Sequence, residues 1–154
     1  MTPPDLDETL ASLEGMPRHL QAVAAGLSEE ALRRPGTGGA FSLVEHAWHL
    51  ADLEREGYGE RIRRLLTEED PLLPDFDGDR VARERCYRSK SFHEGLAAFA
   101  SARAENLSWL RSLAPEVWER RGRQEGVGPV RLGDIPRMML THDTSHRASP
   151  PVGD

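Results

Sequence analysis

The segment most informative about the architecture is SLVEHAWHLADLEREGYGERIRRLL, residues 42–66. Ser42 and Glu45 have the spacing of a capping box. In this motif the serine side chain accepts a hydrogen bond from a backbone N–H, and the glutamate reaches back to the serine backbone. Apolar residues such as Leu43, Leu50 and Leu65 then recur at helical spacing on one face. The segment therefore predicts a long helix from residue 43 to about residue 66.

Three other segments have the same helical periodicity. The first spans about residues 5–26 and contains Pro17, which kinks or interrupts a helix. The next covers residues 92–114, and the last runs from about residue 133 through His146 to the prolines at 150 and 151, which end it. Four main helices joined by short or medium connections predict an all-α fold, a four-helix bundle.

The connections between these helices are polar and rich in glycine or proline. Residues 35–39 predict a flexible connection, and residues 122–128 predict a loop. Residues 70–79 predict a proline-rich loop of medium length between the second and third main helices. Before the second helix, Ser28 caps a short turn. No segment shows the sustained alternation of a strand.

Length and composition describe a globular chain. Its 154 residues predict one domain, residues 1–154, with flexible ends at about 1–4 and 149–154. The 38% hydrophobic and 30% charged residues exclude a disordered protein. No run approaches the roughly 20 apolar residues of a membrane helix, so we expect no membrane partner. A net charge of -6 disfavours nucleic-acid binding through phosphate contacts.

The cysteine count and the N-terminal sequence point to one compartment. Cys86 is the only cysteine, so an internal disulfide is excluded, and we expect an ordinary packed side chain. The first five residues have neither a basic region nor an apolar stretch, so we expect no signal peptide. Together these features predict a cytoplasmic protein.

The last helix carries two histidines that could share a metal ion. His142 and His146 are four residues apart, so they lie on one face of the helix. Ile135, Met138 and Met139 point to the same side, which directs both imidazoles toward the bundle interior. Two imidazoles one turn apart can hold one metal ion, and a third ligand must come from another helix.

The second helix offers two candidates for that third ligand, His46 and His49. His49 belongs to a polar stripe with Glu45, Asp52 and Glu56, opposite the apolar face. Such a stripe is either a solvated helix face or the lining of a polar cleft. His46 lies nearer the apolar edge and could be a core histidine. Spacing alone does not choose between these alternatives.

Several segments resemble those of the DinB/YfiT-like superfamily. FSLVEHAWHLADLE, residues 41–54, looks like its second-helix signature, and LTHDTSHR, residues 140–147, looks like its last-helix signature. Three shorter pieces agree in order: GLSEEAL at 26–32, PLLPDFD at 71–77 and GPVRLG at 128–133. The likeness covers about residues 5–148.

The resemblance implies a four-helix bundle with one divalent metal bound by three histidines. The first ligand is the histidine of a His-Leu-x-Asp element, which corresponds to His49. The other two are the histidines of the final His-x-x-x-His, which correspond to His142 and His146. The resemblance thus selects His49 over His46.

Three imidazoles with an open coordination position are typical of a catalytic site. Such a set suits zinc or nickel first, with iron or copper also compatible. The ion would polarise a substrate atom, activate water or hold a thiolate. Asp52, one turn from His49, is the catalytic candidate: it could orient a ligand imidazole or act as general base, unless it is simply solvated. Asp143 points away from His142, and we expect it to lie at the surface.

The resemblance implies a metal-dependent transferase or hydrolase acting on a small molecule. Some members are thiol-dependent, so one form of this activity is transfer of a low-molecular-weight thiol to a small electrophile. The alternative is a metal-binding stress or interaction protein without turnover. Bundles of this kind can pair as homodimers, although no segment here marks an interface.

Overall fold

The computed structural model describes residues 2–148. In chain order the helices are α1 (Leu6–Glu14), α2 (Met16–Ala24), α3 (Glu29–Arg33), α4 (Leu43–Asp52), α5 (Glu60–Thr67), α6 (Gly78–Glu84), α7 (Phe92–Arg111) and α8 (Ile135–Ala148). The strands are β1 (Leu72–Leu73), β2 (Arg121–Gln124) and β3 (Gly128–Arg131). A π-helical segment, Leu53–Gly59, joins α4 to α5. Single 3₁₀ turns cover Thr37–Gly39, Tyr87–Ser89, Pro115–Glu119 and Leu132–Asp134.

None of the helices in this range is both long enough and apolar enough to cross a bilayer. The expected helix end at Pro150 and Pro151, and the expected flexible tail, lie outside the described residues.

The predicted four-helix bundle is confirmed. Of its four helical segments, the first consists of α1 and α2 and the second of α4 and α5, while α7 and α8 form the third and fourth. Helix α4 packs along α7, and α1 packs against both α7 and α8. The first predicted helix is divided in two, because α1 ends at Glu14 and α2 begins at Met16. Pro17 lies in the first turn of α2, where its missing N–H has no helical partner to lose.

The core is formed by the apolar faces that the periodicity predicted. Its largest cluster combines residues of α1, α5, α7 and α8, and burial of each such side chain contributes roughly 1.5–3 kcal/mol. Its members include Leu10, Leu13, Ile62, Leu65, Leu107, Leu110, Ile135 and Met139. A second cluster joins α2, α4 and α7 through Met16, Leu20, Leu50 and Phe99.

The second main helix has the predicted start and end, with an unpredicted segment between them. The Ser42 hydroxyl accepts from the Glu45 N–H at 3.2 Å, and the Glu45 carboxylate accepts from the Ser42 N–H at 3.0 Å. The helical chain then continues to Thr67. Its middle, Leu53–Gly59, adopts the wider π-helical winding, which often marks functional sites.

Two strands of a three-stranded sheet replace both ends of the predicted loop at 122–128, where only residues 125–127 form a turn, so that prediction was wrong at its ends. β2 and β3 form an antiparallel hairpin, and β1 joins β2 in parallel from within the proline-rich loop. The buried positions of β2 are Gly122 and Gln124, while Arg121 and Arg123 are exposed. The strand therefore alternates in burial but not in hydrophobicity, and hydrophobic periodicity cannot detect it.

Residues 77–90, which we call the cover segment, begin at the end of the proline-rich loop that contains β1. Asp77 caps α6 by accepting from the Arg80 N–H at 3.1 Å, and a 3₁₀ turn at Tyr87–Ser89 completes the segment. Cys86 is exposed and has a positive φ of 52°, so the expected packed position was wrong. The cover segment lies on the polar stripe of α4, as its contacts below demonstrate.

Candidate metal centre

Three histidines from α4 and α8 converge at one point. His49, His142 and His146 each offer a ring nitrogen, and these nitrogens lie within 4.8 Å of one another. Nε2 of His142 is 3.4 Å from Nε2 of His49 and 3.2 Å from Nε2 of His146. The structure thus brings together the three residues that the family resemblance selects.

The spacing and the protonation of these rings fit one transition-metal ion. With metal–nitrogen bonds of about 2.0–2.1 Å, tetrahedral ligands lie about 3.4 Å apart, close to the two distances observed. Burial lowers the pKa of His49 to about 3 and that of His146 to about 2, and burial also lowers the pKa of His142. The imidazoles are therefore neutral at pH 7, the form that binds metal.

His49 is held by shape rather than by a hydrogen bond. Its ring lies 5.3 Å from the Phe41 ring and 6.2 Å from the Phe76 ring, measured between centroids. Gly78 is also next to the ring, and a Cβ atom there would come within 2.6 Å of His49 Cε1 and 2.8 Å of Nδ1. Nδ1 is buried and has no hydrogen-bond partner among residues 2–148. Close packing therefore sets the direction of Nε2.

His46, which spacing left open as a core histidine, contacts the cluster from behind. Its Nδ1 lies 2.6 Å from Nδ1 of His146, with the two rings nearly perpendicular at 85°. One of these nitrogens donates and the other accepts, so the contact fixes the orientation of His146. The Nε2 atom of His146 is left to face His142.

Asp52 is buried and engaged with other side chains. Its Oδ1 accepts from Arg55 at 2.8 Å, and its Oδ2 accepts from Arg85 at 2.9 Å and from the Tyr87 hydroxyl. Burial raises the pKa of Asp52, but these hydrogen bonds outweigh it and lower the pKa overall. Within residues 2–148 no hydrogen bond joins Asp52 to His49, so the arrangement does not orient that imidazole.

Most of the polar stripe is covered rather than solvated: Glu45, His49 and Asp52 are buried, whereas Glu56, in the π-helical segment, is exposed. Arg85 of the cover segment forms an ion pair with Glu56, and Arg88 forms one with Glu45 at 3.3 Å. Together with the Asp52 contacts, these pairs tie the cover segment to α4 next to His49.

Asp143 was predicted at the surface, and this was wrong. Its side chain is 2% exposed and forms a bidentate ion pair with Arg103, at 2.7 and 2.9 Å. Arg103 also pairs with Glu54 at 3.0 Å. Arg103 reaches this flank of α8 from α7, so the carboxylate meets a buried guanidinium instead of water.

A cavity of about 550 Å³ opens beside His142. Its lining includes Tyr58, Arg61, Gln124, Met138, Thr141 and His142. The Tyr58 ring centroid is 6.4 Å from that of His142, and burial raises the pKa of Tyr58 to about 12, so its hydroxyl stays protonated. Sequence reasoning missed Arg61 as a site residue, although it follows Tyr58 at helical spacing.

Comparison with known proteins agrees with the resemblance seen in the sequence. The family model described as the DinB superfamily matches residues 12–149. Among solved structures, the chain superposes on YfiT from Bacillus subtilis with a TM-score of 0.87 at 20% identity, covering 97% of this chain and 86% of that one. YfiT is described as a probable metal-dependent hydrolase with an unusual four-helix bundle topology. At this identity the likeness establishes the fold.

Three curated relatives each carry the name "Putative metal-dependent hydrolase". The protein of Bacillus licheniformis is 37% identical over 73 residues, 47% of this chain and 41% of the relative. That of Geobacillus thermodenitrificans is 26% identical over 116 residues, 75% and 65% of the two chains. That of Oceanobacillus iheyensis is 24% identical over 143 residues, 93% and 82%. The chain therefore spans less than two thirds of the length of the first two.

Proposed function

Because the chain belongs to the DinB superfamily, we propose that it is a metal-dependent hydrolase of a small molecule. The observation that carries the proposal is the convergence of three imidazole Nε2 atoms, with two of the pairs at 3.2 and 3.4 Å. The names of the relatives support the same reaction class. A site of three neutral imidazoles beside an open cavity is the arrangement of a catalytic metal rather than a structural one.

In this proposal His49, His142 and His146 hold one divalent transition metal through Nε2. An all-imidazole donor set suits zinc or nickel first, with iron or copper also compatible. Such an ion, when bound, lowers the pKa of coordinated water to about 7 and so supplies a nucleophile at neutral pH. Substrate reaches the site from the cavity beside His142.

The chain's own residues would prepare the site. Phe41, Phe76 and Gly78 exclude water from the His49 ring and fix it. His46 fixes His146 through the Nδ1 contact. The protonated Tyr58 hydroxyl is available to donate a hydrogen bond to a substrate oxygen in the cavity.

The catalytic role of Asp52 stays a prediction. Its contacts favour an indirect part, because both carboxylate oxygens accept from the cover segment or from Arg55 and its lowered pKa makes it a weak base at neutral pH. An Asp52→Asn variant separates the roles. If Asp52 is a general base, the variant should lose turnover but keep the native metal content. If Asp52 instead holds the cover segment in place, the variant should lose bound metal as well as turnover.

Metal analysis and a hydrolysis screen test the proposal. Protein purified without added metal is expected to carry about one equivalent of a transition metal, which His49→Ala and His142→Ala lose. His93→Ala is the matched control, because His93 is an exposed histidine of α7. A panel of small esters and amides should show turnover that His142→Ala abolishes and His93→Ala keeps. Absence of metal from the native chain contradicts the proposal.

The thiol-dependent transfer and the non-catalytic role predicted from the resemblance are tested in the same screen. Turnover of an electrophile that requires a low-molecular-weight thiol identifies a transferase instead of a hydrolase. A full equivalent of metal with no turnover across both panels favours a metal-binding stress or interaction protein. The homodimer also stays a prediction, and light scattering of the metal-loaded chain measures it.

A further inference from the structure

Arg61 is a buried cation without an ionic partner among residues 2–148. The residue is 6% exposed, and its Nε atom is buried with no hydrogen-bond acceptor. The guanidinium carbon lies 5.4 Å from the centroid of the Tyr58 ring, a cation–π contact. Burial lowers the pKa of Arg61, opposed only by Tyr58 and by the charge of Asp75, which forms no ion pair with it. A buried guanidinium without a counter-ion is unfavourable unless a ligand supplies one.

The other charged side chains that line the cavity are already paired within the described residues. Arg137 forms an ion pair with Asp5 at 3.1 Å. Asp134 accepts from the backbone N–H of Arg131 at 2.8 Å and lies 3.9 Å from its guanidinium. Arg61 therefore leaves the cavity with an uncompensated positive charge.

A second polar group in the cavity also lacks a partner. Gln124, at the end of β2, is 7% exposed, and its Oε1 atom is buried without a hydrogen-bond donor in the described chain. Both Gln124 and Arg61 line the cavity that contains His142. The wall of the cavity thus contains a cationic donor and a neutral acceptor, each without a complement among residues 2–148.

We propose that Arg61 binds an oxyanion of the substrate, a carboxylate or phosphoryl group, while a substrate N–H or O–H donates to Gln124. A guanidinium suits such groups because it can donate two parallel hydrogen bonds. Tyr58 contacts both Arg61 and His142, so an anion held at Arg61 extends past this ring toward the histidine cluster. This inference rests on the proposed hydrolase and narrows its substrates to small anionic molecules.

An NMR titration of the metal-free chain tests the subsite without relying on activity. Sodium phosphate and sodium acetate are added separately at constant ionic strength, and the Arg61 Nε–H and Thr141 amide signals are followed. We expect saturable shifts with at least one anion, and a dissociation constant about tenfold or more higher in Arg61→Gln. Saturation with phosphate indicates a phosphoryl ligand, and saturation with acetate indicates a carboxylate ligand.

Arg137→Gln is the matched control, because Arg137 lines the same cavity but is paired with Asp5. Its affinity for the anion should stay within about twofold of native, since its charge is already compensated. Equal weakening in Arg137→Gln and Arg61→Gln indicates diffuse attraction and overturns the subsite. So does an Arg61 signal unmoved by both anions in the native chain, a result that needs no folded variant.

The titration and the metal analysis can contradict the anion subsite and the hydrolase independently of each other. Anion binding at Arg61 in a chain that takes up no metal refutes the hydrolase and leaves an anion site. Metal uptake with turnover, in a chain whose Arg61 signal is moved by neither anion, refutes the subsite and leaves the hydrolase.

Discussion

Single residues decide whether the three histidines can share an ion, and His49 is the most dependent on its neighbours. His146 has a polar contact at Nδ1 from His46, but Nδ1 of His49 has none among the described residues. The position of the His49 ring thus depends on van der Waals contact with Gly78 and two phenylalanine rings. Contact of this kind is steep in distance, so small changes should move the ring.

Gly78→Ala should therefore weaken metal binding. The new Cβ would lie 2.6 Å from His49 Cε1, so either the ring or the start of α6 must move. By analogy with lost outer-shell contacts, we expect metal affinity to fall by about 10–100-fold, measured by competition with a chelator. Gly15→Ala is the control, because its nearest contact is 3.5 Å and its φ is -78°. Native affinity in Gly78→Ala would show that the ring is not held by packing.

The free energy of unfolding of the metal-free chain should decrease as the pH is lowered, because His49 binds a proton more readily in the unfolded chain. Its pKa is about 3 in the folded chain against 6.5 in the unfolded one, so the unfolded state binds more protons below pH 6.5. The stability contributed by the neutral His49 ring is fully present above pH 6.5 and is lost as the pH falls toward 3. His49 alone should remove about 2 kcal/mol between pH 7 and pH 5.

Urea unfolding with chelator present measures this effect. His49→Gln should lose less stability than native between the two pH values, by about that amount. His93→Gln, an exposed control, should follow the native chain. Parallel curves for native and His49→Gln would mean that this ring does not titrate with a lowered pKa.

Among the elements, the π-helical segment between α4 and α5 connects the candidate metal ligand His49 to Arg61 in the cavity wall. His49 precedes it, Tyr58 lies within it and Arg61 follows it. The wider turn is stabilised from α7, where the Asn106 side-chain amide donates to the backbone carbonyl of Glu54 at 2.9 Å and to its carboxylate at 3.0 Å. An added residue per turn changes which face the following helix presents.

Asn106→Leu should destabilise the fold by roughly 1–3 kcal/mol, because it leaves a buried carbonyl and a buried carboxylate oxygen without this donor. Denaturant unfolding of the native and variant chains measures the difference. Glu105→Gln is the control, since Glu105 is the exposed neighbour on α7. If both variants unfold at the same denaturant concentration, the amide contributes nothing to the π-helical segment.

Across the whole molecule, one buried arginine connects most of the helical segments of the bundle. Arg103 of α7 donates to the Leu13 carbonyl at the end of α1, pairs with Glu54 in the π-helical segment and pairs with Asp143 of α8. Burial lowers the pKa of Arg103, but the two carboxylates outweigh it, so the pKa is raised overall. The network fixes α8, and with it His142 and His146, relative to α4.

Asp143→Ala should lower the unfolding free energy by about 3–5 kcal/mol, because it leaves a buried guanidinium with half its counter-charge. Combining Asp143→Leu with Arg103→Met should recover part of that loss, although Glu54 then loses its ion pair and keeps the hydrogen bond from Asn106. Glu14→Ala breaks the exposed Arg111 pair and should cost at most about 1 kcal/mol. Thermal and urea unfolding provide the measurement, and a loss in Asp143→Ala no larger than in Glu14→Ala would contradict the role of the network.

The local patterns of the chain predicted its helices well. The capping box at Ser42 and Glu45 predicted the start of α4, and the apolar spacing predicted the faces that carry Leu50, Leu65 and Leu107 into the core. The hairpin at β2 and β3 was not predictable in this way, because arginine alternates with glycine and glutamine in β2, and β3 has a single buried apolar residue, Val130.

Sequence alone determined the helices and the faces on which the histidines lie, because capping and helical periodicity involve residues within a few positions of each other. Only the tertiary structure decided that Asp143 is buried, that His46 touches His146 and that Arg61 has no ionic partner within residues 2–148. Each of these properties depends on groups far away in the chain. Whether a charge meets water, a counter-ion or neither is settled only when distant helices pack together.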